Sequence, residues 1–288
     1  NSYVLLDEKT VLFDTVDRCM SQQFFENLDF VLGNRKLDYV IVNHMEPDHS
    51  ATLPDLIRRY PDVKIIGNAK TLVFIKQFFD DALEAHFISV NDGDTLSTGK
   101  HNLKFIFAPM VHWPEVMVTY DETDGILFSA DGFGGFGALN GNIFTDEIDF
   151  DESHWENMRR YYTNIVGKYG VSVMSLLNKA SALKINYICP LHGRIWRKDI
   201  DKLLDKYKKW ASYEPEEKGV TIVYGSIYGN TENAAEILAG MLAEKGVRNI
   251  QMFDVSGTHP SYIVSSCFRY SNIVIASNTY NAQSLLPA

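Results

Sequence analysis

The β-branched run Tyr39-Val40-Ile41-Val42 delivers the chain into Asn43-His44-Met45-Glu46-Pro47-Asp48-His49, where strand character stops and a cluster of acids and imidazoles begins. On an extended backbone, side chains two residues apart share a face, so His44, Glu46 and Asp48 can converge while His49 projects differently. One loop could therefore serve two adjacent metal ions. Further along stand His112 in Met110-Val111-His112-Trp113-Pro114, Asp131 in Ser129-Ala130-Asp131-Gly132 and His192 in Pro190-Leu191-His192-Gly193, each at or just after the end of a strand-like run. Taken singly, such residues are more often packed or solvated side chains, because short motifs match by chance. Taken together, they are ligand types drawn from separate loops at strand ends, as in a preformed catalytic metal centre.

Working outward, strand-like runs Tyr3 to Asp7 and Thr10 to Asp14 form a hairpin, and an amphipathic stretch from Met20 to Leu32 follows. Helical segments near Leu53 to Tyr60 and Thr71 to Phe79 alternate with strands at Val63 to Ile66 and His86 to Val90. Strands at Leu103 to Phe107, Val116 to Tyr120 and Gly125 to Ser129 come next, then helix from Asp151 to Leu183 broken at Gly170. The strand Tyr187-Ile188-Cys189 and a helix from Lys198 to Ser212 complete an α/β unit of sheets covered by helices. Apolar periodicity lapses over Tyr213-Glu214-Pro215-Glu216-Glu217-Lys218-Gly219, which sets a boundary between a first domain, residues 1–213, and a second, residues 219–288. The second reads βαβαβ, with strands from Val220, Gln251 and Asn272.

Composition narrows the function. A chain of 288 residues has room for about two domains. Its 45% hydrophobic and 22% charged residues are ordinary for a folded protein. With 37 acidic against 27 basic residues, the net charge of −10 repels a phosphate backbone or an anionic membrane. No apolar run reaches the ~20 residues of a membrane span and no signal peptide is evident, which reads as cytoplasmic. Three cysteines, Cys19, Cys189 and Cys267, form no C-x-x-C pair, so any metal is held by nitrogen and oxygen. Asn1 is no initiator, and alternation from Tyr3 reads as a fragment beginning in or beside a strand.

The pattern H-x-E-x-D-H…H…D…H resembles the metallo-β-lactamase superfamily and, within it, the flavodiiron proteins. The resemblance implies an αββα sandwich followed by a flavodoxin-like doubly wound parallel sheet. Zinc hydrolases of the superfamily carry histidine where this chain has Glu46, and a hard carboxylate there favours iron or manganese. By the resemblance His44, Glu46 and His112 would hold one iron, Asp48, His49 and His192 the other, and Asp131 would bridge them. His86, His101, His154 and His259 fall outside the pattern, Cys189 reads as a buried structural thiol, and Tyr161 and Tyr162 read as packing.

Between the first strand and helix of the second domain lies Tyr224-Gly225-Ser226-Ile227-Tyr228-Gly229-Asn230-Thr231, whose amides and hydroxyls at a helix N-terminus can cradle a phosphate. It resembles the FMN phosphate loop of flavodoxins. Ser277-Asn278-Thr279-Tyr280-Asn281 resembles the loop that meets the isoalloxazine ring, with Asn278 where the family usually has proline. A flavodoxin fold needs five parallel strands. The sequence stops at Ala288 after the third, so this half domain is expected to hold FMN below full family affinity.

The resemblance implies a reductase converting dioxygen to water and/or nitric oxide to nitrous oxide at two irons fed by FMN. It also implies a rubredoxin-like or flavin reductase donor and a head-to-tail homodimer, or a dimer of such dimers. The alternative is a binuclear zinc hydrolase, which leaves the flavodoxin-like half unexplained. A metal-dead scaffold conflicts with the complete ligand set.

Overall fold

In the computed structural model, which describes residues 1–79 and 81–284, the first two thirds of the chain builds two five-stranded sheets. The first sheet holds β1 (Tyr3–Leu6), β2 (Thr10–Phe13), β3 (Tyr39–Ile41), β4 (Lys64–Gly67) and β5 (Phe87–Ser89) in that spatial order. Helices α1 (Ser21–Leu32), α2 (Pro47–Ser50), α3 (Leu53–Arg59) and α4 (Ala69–Phe79) fill its connections. The second sheet runs from β6 (Thr95–Ser97) through β7 (Asn102–Phe107), β8 (Met117–Asp121) and β9 (Ile126–Phe128) to β10 (Tyr187–Cys189). Helices α5 (Glu152–Ile165), α6 (Gly170–Ala180) and α7 (Ile200–Ala211) cover it.

Side-chain alternation explains the layering. Val11, Phe13, Ile41 and Ile66 of the first sheet pack against Leu103, Phe105, Met117, Phe128 and Cys189 of the second. The Phe13 and Phe128 rings stack at 3.7 Å across that gap. Leu12, Val40 and Ile65 point the other way, to Leu28, Leu56 and Ile75 on the helices. Trp155, Tyr162, Leu177, Leu203 and Trp210 do the same beneath the second sheet. The result is the αββα sandwich that the resemblance implied. β6 escaped the sequence reading because it is a three-residue edge strand with one apolar residue, Leu96.

The last part is a parallel sheet in the order β12 (Ile250–Asp254), β11 (Glu217–Gly225), β13 (Tyr270–Ser277), with α8 (Asn230–Glu244) and α9 (Pro260–Arg269). This is the 2-1-3 start of a doubly wound fold. A hairpin of β14 (Thr279–Tyr280) and β15 (Gln283–Ser284) follows, turning through Asn281 and Ala282 at φ of 53° and 60°.

β11 opens at Glu217, inside the polar segment read as a linker, because its acids are engaged rather than solvated. Glu216 accepts from Trp210 Nε1 at 2.7 Å, pairs with Lys206, and lies 3.2 Å from Arg159, whose side chain is 1% exposed. Arg269 joins Glu152 of α5 to Glu217 at 3.2 and 2.8 Å. Removing one partner of a buried pair leaves the other charge uncompensated. Glu216→Ala is therefore expected to destabilise the fold by about 3 kcal/mol, read as a lower denaturant midpoint. Lys36→Ala, which breaks the exposed Lys36–Asp62 pair, should change stability by less than about 1 kcal/mol.

Candidate metal centre and flavin loops

β2, β3, β9 and β10 run parallel to their neighbours or end at the same rim of the sandwich, so the loops leaving them meet. His44 and Glu46 leave β3 in extended conformation, and Glu46 has φ −57° and ψ 140° before the backbone turns helical at Pro47. That turn corrects the extended-loop reading. Asp48 does not join His44 and Glu46; it swings with His49 onto the first turn of α2, and the two face a different partner. Ala130 turns at φ 50°, a left-handed conformation uncommon for a residue with a Cβ, and carries Asp131 off the end of β9.

Two donor groups result. His44, Glu46, His112 and Asp131 offer one, and Asp48, His49 and His192 the other, with the donor atoms of each within 4.8 Å of one another. In the first group, Glu46 Oε2 stands 3.3 Å from His44 Nε2 and 3.0 Å from His112 Nε2. In the second, Asp48 Oδ2 is 3.2 Å from both His49 Nε2 and His192 Nε2. Asp131 divides its oxygens: Oδ2 faces His112 Nε2 at 3.2 Å and His44 Nε2 at 3.8 Å, while Oδ1 faces His49 Nε2 at 3.2 Å and His192 Nε2 at 3.5 Å. All seven residues singled out from sequence are brought together.

The electrostatics favour cations. Burial disfavours a proton on His44, yet hydrogen bonds that its ring donates to Glu115 and Glu46 outweigh it and raise its pKa to about 10. Burial would raise Asp131, but His112 and His49 hold it well below the usual carboxylate range. Asp131 Oδ1 and Asp48 Oδ1 are buried and accept no hydrogen bond. Converging imidazole Nε2 atoms, carboxylate oxygens without donors and no thiolate form a nitrogen and oxygen set that suits iron or manganese. The residues fit a pair of metal ions.

Sequence reasoning missed three supports. Glu115 is fully buried, accepts from His44 Nδ1 at 2.9 Å and from the Met45 N–H at 2.9 Å, and so fixes which ring nitrogen faces the centre. Asp14 at the end of β2 accepts from the backbone N–H groups of Asn43 and His44 at 2.8 and 3.0 Å, and burial raises its pKa to about 6. An acid ending the apolar strand Thr10–Phe13 was a readable signal. Tyr161 of α5 lies 5.6 Å ring to ring from His192, with its buried hydroxyl unpaired. On the other side Trp113 packs at 5.3 Å from His44 and against Phe74 and Phe78.

The remaining histidines and Cys189 have structural partners. His101 Nδ1 bonds Asp121 at 2.8 Å, His154 bonds Asp151, His259 caps α9 and His86 bonds the Val63 carbonyl. Cys189 packs between the sheets, and burial pushes its thiol up to about 12.

The flavin-loop residues lie together at the C-terminal ends of adjacent strands, since Gly225 of β11 pairs with Ser277 of β13. This is the switch point of the sheet, where ligands bind in such folds. Ser226 through Gly229 form the turn, Gly229 has φ 82°, and Asn230 and Thr231 open α8. Ser226 Oγ and Asn278 Oδ1 are buried without a hydrogen-bond partner, while Tyr228 and Tyr280 are 89% and 62% exposed. Thr279, Tyr280 and Asn281 belong to the β14–β15 hairpin rather than a loop.

Because Glu115 orients His44, Glu115→Ala is expected to weaken metal affinity by about 10- to 100-fold in competition with a chelator, with the fold retained by circular dichroism. Unchanged affinity would remove Glu115 from the centre.

Residues 1–193 match the ODP family beta lactamase. An uncharacterized protein of Methanocaldococcus jannaschii is 34% identical over 281 residues, covering 98% of this chain and 70% of that protein. The anaerobic nitric oxide reductase flavorubredoxin of Escherichia coli is 33% identical over 285 residues, and the match spans 98% of this chain but 59% of that protein. Among solved structures, the flavodiiron protein from Giardia intestinalis superposes with a TM-score of 0.93 at 28% identity, covering 99% of this chain and 69% of that one. The rubredoxin:oxygen oxidoreductase of Desulfovibrio gigas gives 0.91 at 30% identity, with 98% and 70% covered. With the ligand pattern, the αββα sandwich and the 2-1-3 sheet all present, the chain belongs to the flavodiiron protein family.

Proposed function

We propose that this chain is a flavodiiron oxidoreductase that reduces dioxygen to water, nitric oxide to nitrous oxide, or both. The observation that carries the reading is Asp131, which turns one oxygen to each of two imidazole-carboxylate groups. His44, Glu46 and His112 would hold one iron and Asp48, His49 and His192 the other, with Asp131 shared. FMN would lie against Ser226, Ile227, Tyr228, Gly229, Asn230 and Thr231 on its phosphate side, and Ser277 to Asn281 on its ring side. The orphaned Ser226 Oγ and Asn278 Oδ1 support that placement. When bound, the iron pair and reduced FMN supply the electrons, four for each dioxygen and two for each pair of nitric oxide molecules.

The chain's own residues do the rest. Glu115 and Asp14 lock the His44 segment from behind, so the donors need little reorganisation. Tyr161 presents a buried hydroxyl beside His192, and burial raises its pKa well above the ordinary value, so it keeps its proton and can donate a hydrogen bond to a bound gas. Trp113, with Phe74 and Phe78, walls the opposite side against water.

We further propose two units, residues 1–213 and 219–288, a cytoplasmic location, a rubredoxin-like or flavin reductase donor and a head-to-tail homodimer that brings one chain's flavin to its partner's metals. Among the described residues no helix is long and apolar enough to cross a membrane. A zinc hydrolase reading gains nothing from Glu46, which supplies oxygen where nitrogen would suit zinc.

Iron-loaded protein with FMN and a reductant is expected to consume dioxygen or nitric oxide at an electrode, without hydrolysing lactam or thioester substrates. Tyr161→Phe should lower kcat by about a hundredfold with iron content unchanged. Loaded protein that consumes neither gas would refute the reading.

A further inference from the structure

Beside the His192 loop lies a cavity of about 30 Å³ that the ligand set does not use, walled mainly by Phe133, Phe136, Phe150, Met158 and Trp196, with Thr145, His154 and Arg194 as its polar members. Glycines complete its wall, among them the pair Gly135 and Gly193. They meet backbone to backbone: a Cβ on Gly193 would stand 3.1 Å from Gly135 N, and one on Gly135 would stand 3.0 Å from Met158 Cγ. Gly193 directly follows His192, and Gly135 belongs to the loop that Asp131 begins. The barrier between cavity and metal ligands is therefore thin. Phe136 lies edge-on to Tyr161 at 5.2 Å, and Tyr161 faces His192, so the aromatic lining continues to the centre. At the mouth, Arg194 donates to the carbonyls of Leu139 and Asn142 at 3.1 and 3.2 Å and pins the covering loop.

Size and lining select the occupant. A water needs roughly 10–15 Å³ of such space and two to four polar partners, and genuinely dry cavities are apolar. This cavity has room for a diatomic molecule; His154 is engaged by Asp151 and Arg194 by carbonyls of the covering loop, so the polar part of the wall leaves water few partners, while the aromatic part offers dispersion contact to an apolar guest. We propose that it is a holding site for an apolar diatomic gas one loop away from the metal pair. The inference rests on the reductase reading for its purpose, but not for its binding.

Xenon, an apolar probe of similar size, separates the two. Crystals of the holoprotein under xenon pressure should show the atom in this cavity. Thr145→Leu, which keeps the Thr145 backbone bond to Ile195 and fills the space, should exclude it. The same variant should lower kcat/KM for the gas by about threefold or more, with kcat at saturating gas and iron content unchanged. Phe150→Leu enlarges the cavity and should retain xenon, so the proposal stays testable if Thr145→Leu fails to fold. A chain that consumes gas yet holds no xenon here, in wild type or Phe150→Leu, overturns the holding site. So does a Thr145→Leu chain that loses xenon but keeps kcat/KM. Xenon in the cavity of a loaded chain that reduces neither gas would instead overturn the reductase reading.

Discussion

Glu46, Asp48 and Asp131 project into one end of the sandwich, with the fully buried Glu115 directly behind them. Carboxylates gathered this closely, two of them fully buried, repel one another unless positive charge lies among them. Four imidazoles supply some of it as donors or proton carriers, and their Nε2 atoms meet in pairs at 3.3 Å and 3.0 Å, a spacing that calls for a shared cation or proton. This charge constraint organises the rim. It explains why Asp14 and Glu115 tie down backbone N–H groups instead of facing solvent, and why the loops carrying the ligands are braced by contacts between strands.

Much of that was legible in the chain. Alternating and β-branched runs located most strands, and the order of His44, Glu46, Asp48, His49, His112, Asp131 and His192 was enough to assemble the centre. The division of the ligands between two groups was not legible from periodicity, because it depends on Pro47 starting a helix at once after Glu46. An extended loop would have put Asp48 on the wrong side. Glu115 and Asp14 were hidden for another reason: their partners are backbone N–H groups and a ring nitrogen from other segments, and no spacing rule connects them. Tyr161 reads as one more aromatic on an amphipathic helix until α5 is laid beside the His192 loop. Of the two candidate flavin segments, Ser226 to Gly229 is a turn as the sequence suggested, whereas Thr279 to Asn281 lies in the β14–β15 hairpin; they come together because β11 pairs with β13.

The 2-1-3 sheet and its helices are held against the sandwich by charge as well as apolar contact. Glu152 and Arg159 on α5, Lys206 on α7, Glu216 and Glu217 at the start of β11 and Arg269 on α9 form a connected set. Arg160 adds to it, lying 4.1 Å above the Tyr262 ring and donating to Ser261 at 3.0 Å. Such a junction ties the 2-1-3 sheet to α5 and α7 of the sandwich by several charged contacts at once.

The most direct test of the central claim is metal stoichiometry with magnetic coupling, measured by elemental analysis together with Mössbauer spectroscopy on protein reconstituted with ⁵⁷Fe while zinc is also present. A shared Asp131 predicts two irons per chain, coupled to each other, with zinc excluded. One iron per chain, two uncoupled irons, or a zinc pair would contradict the account.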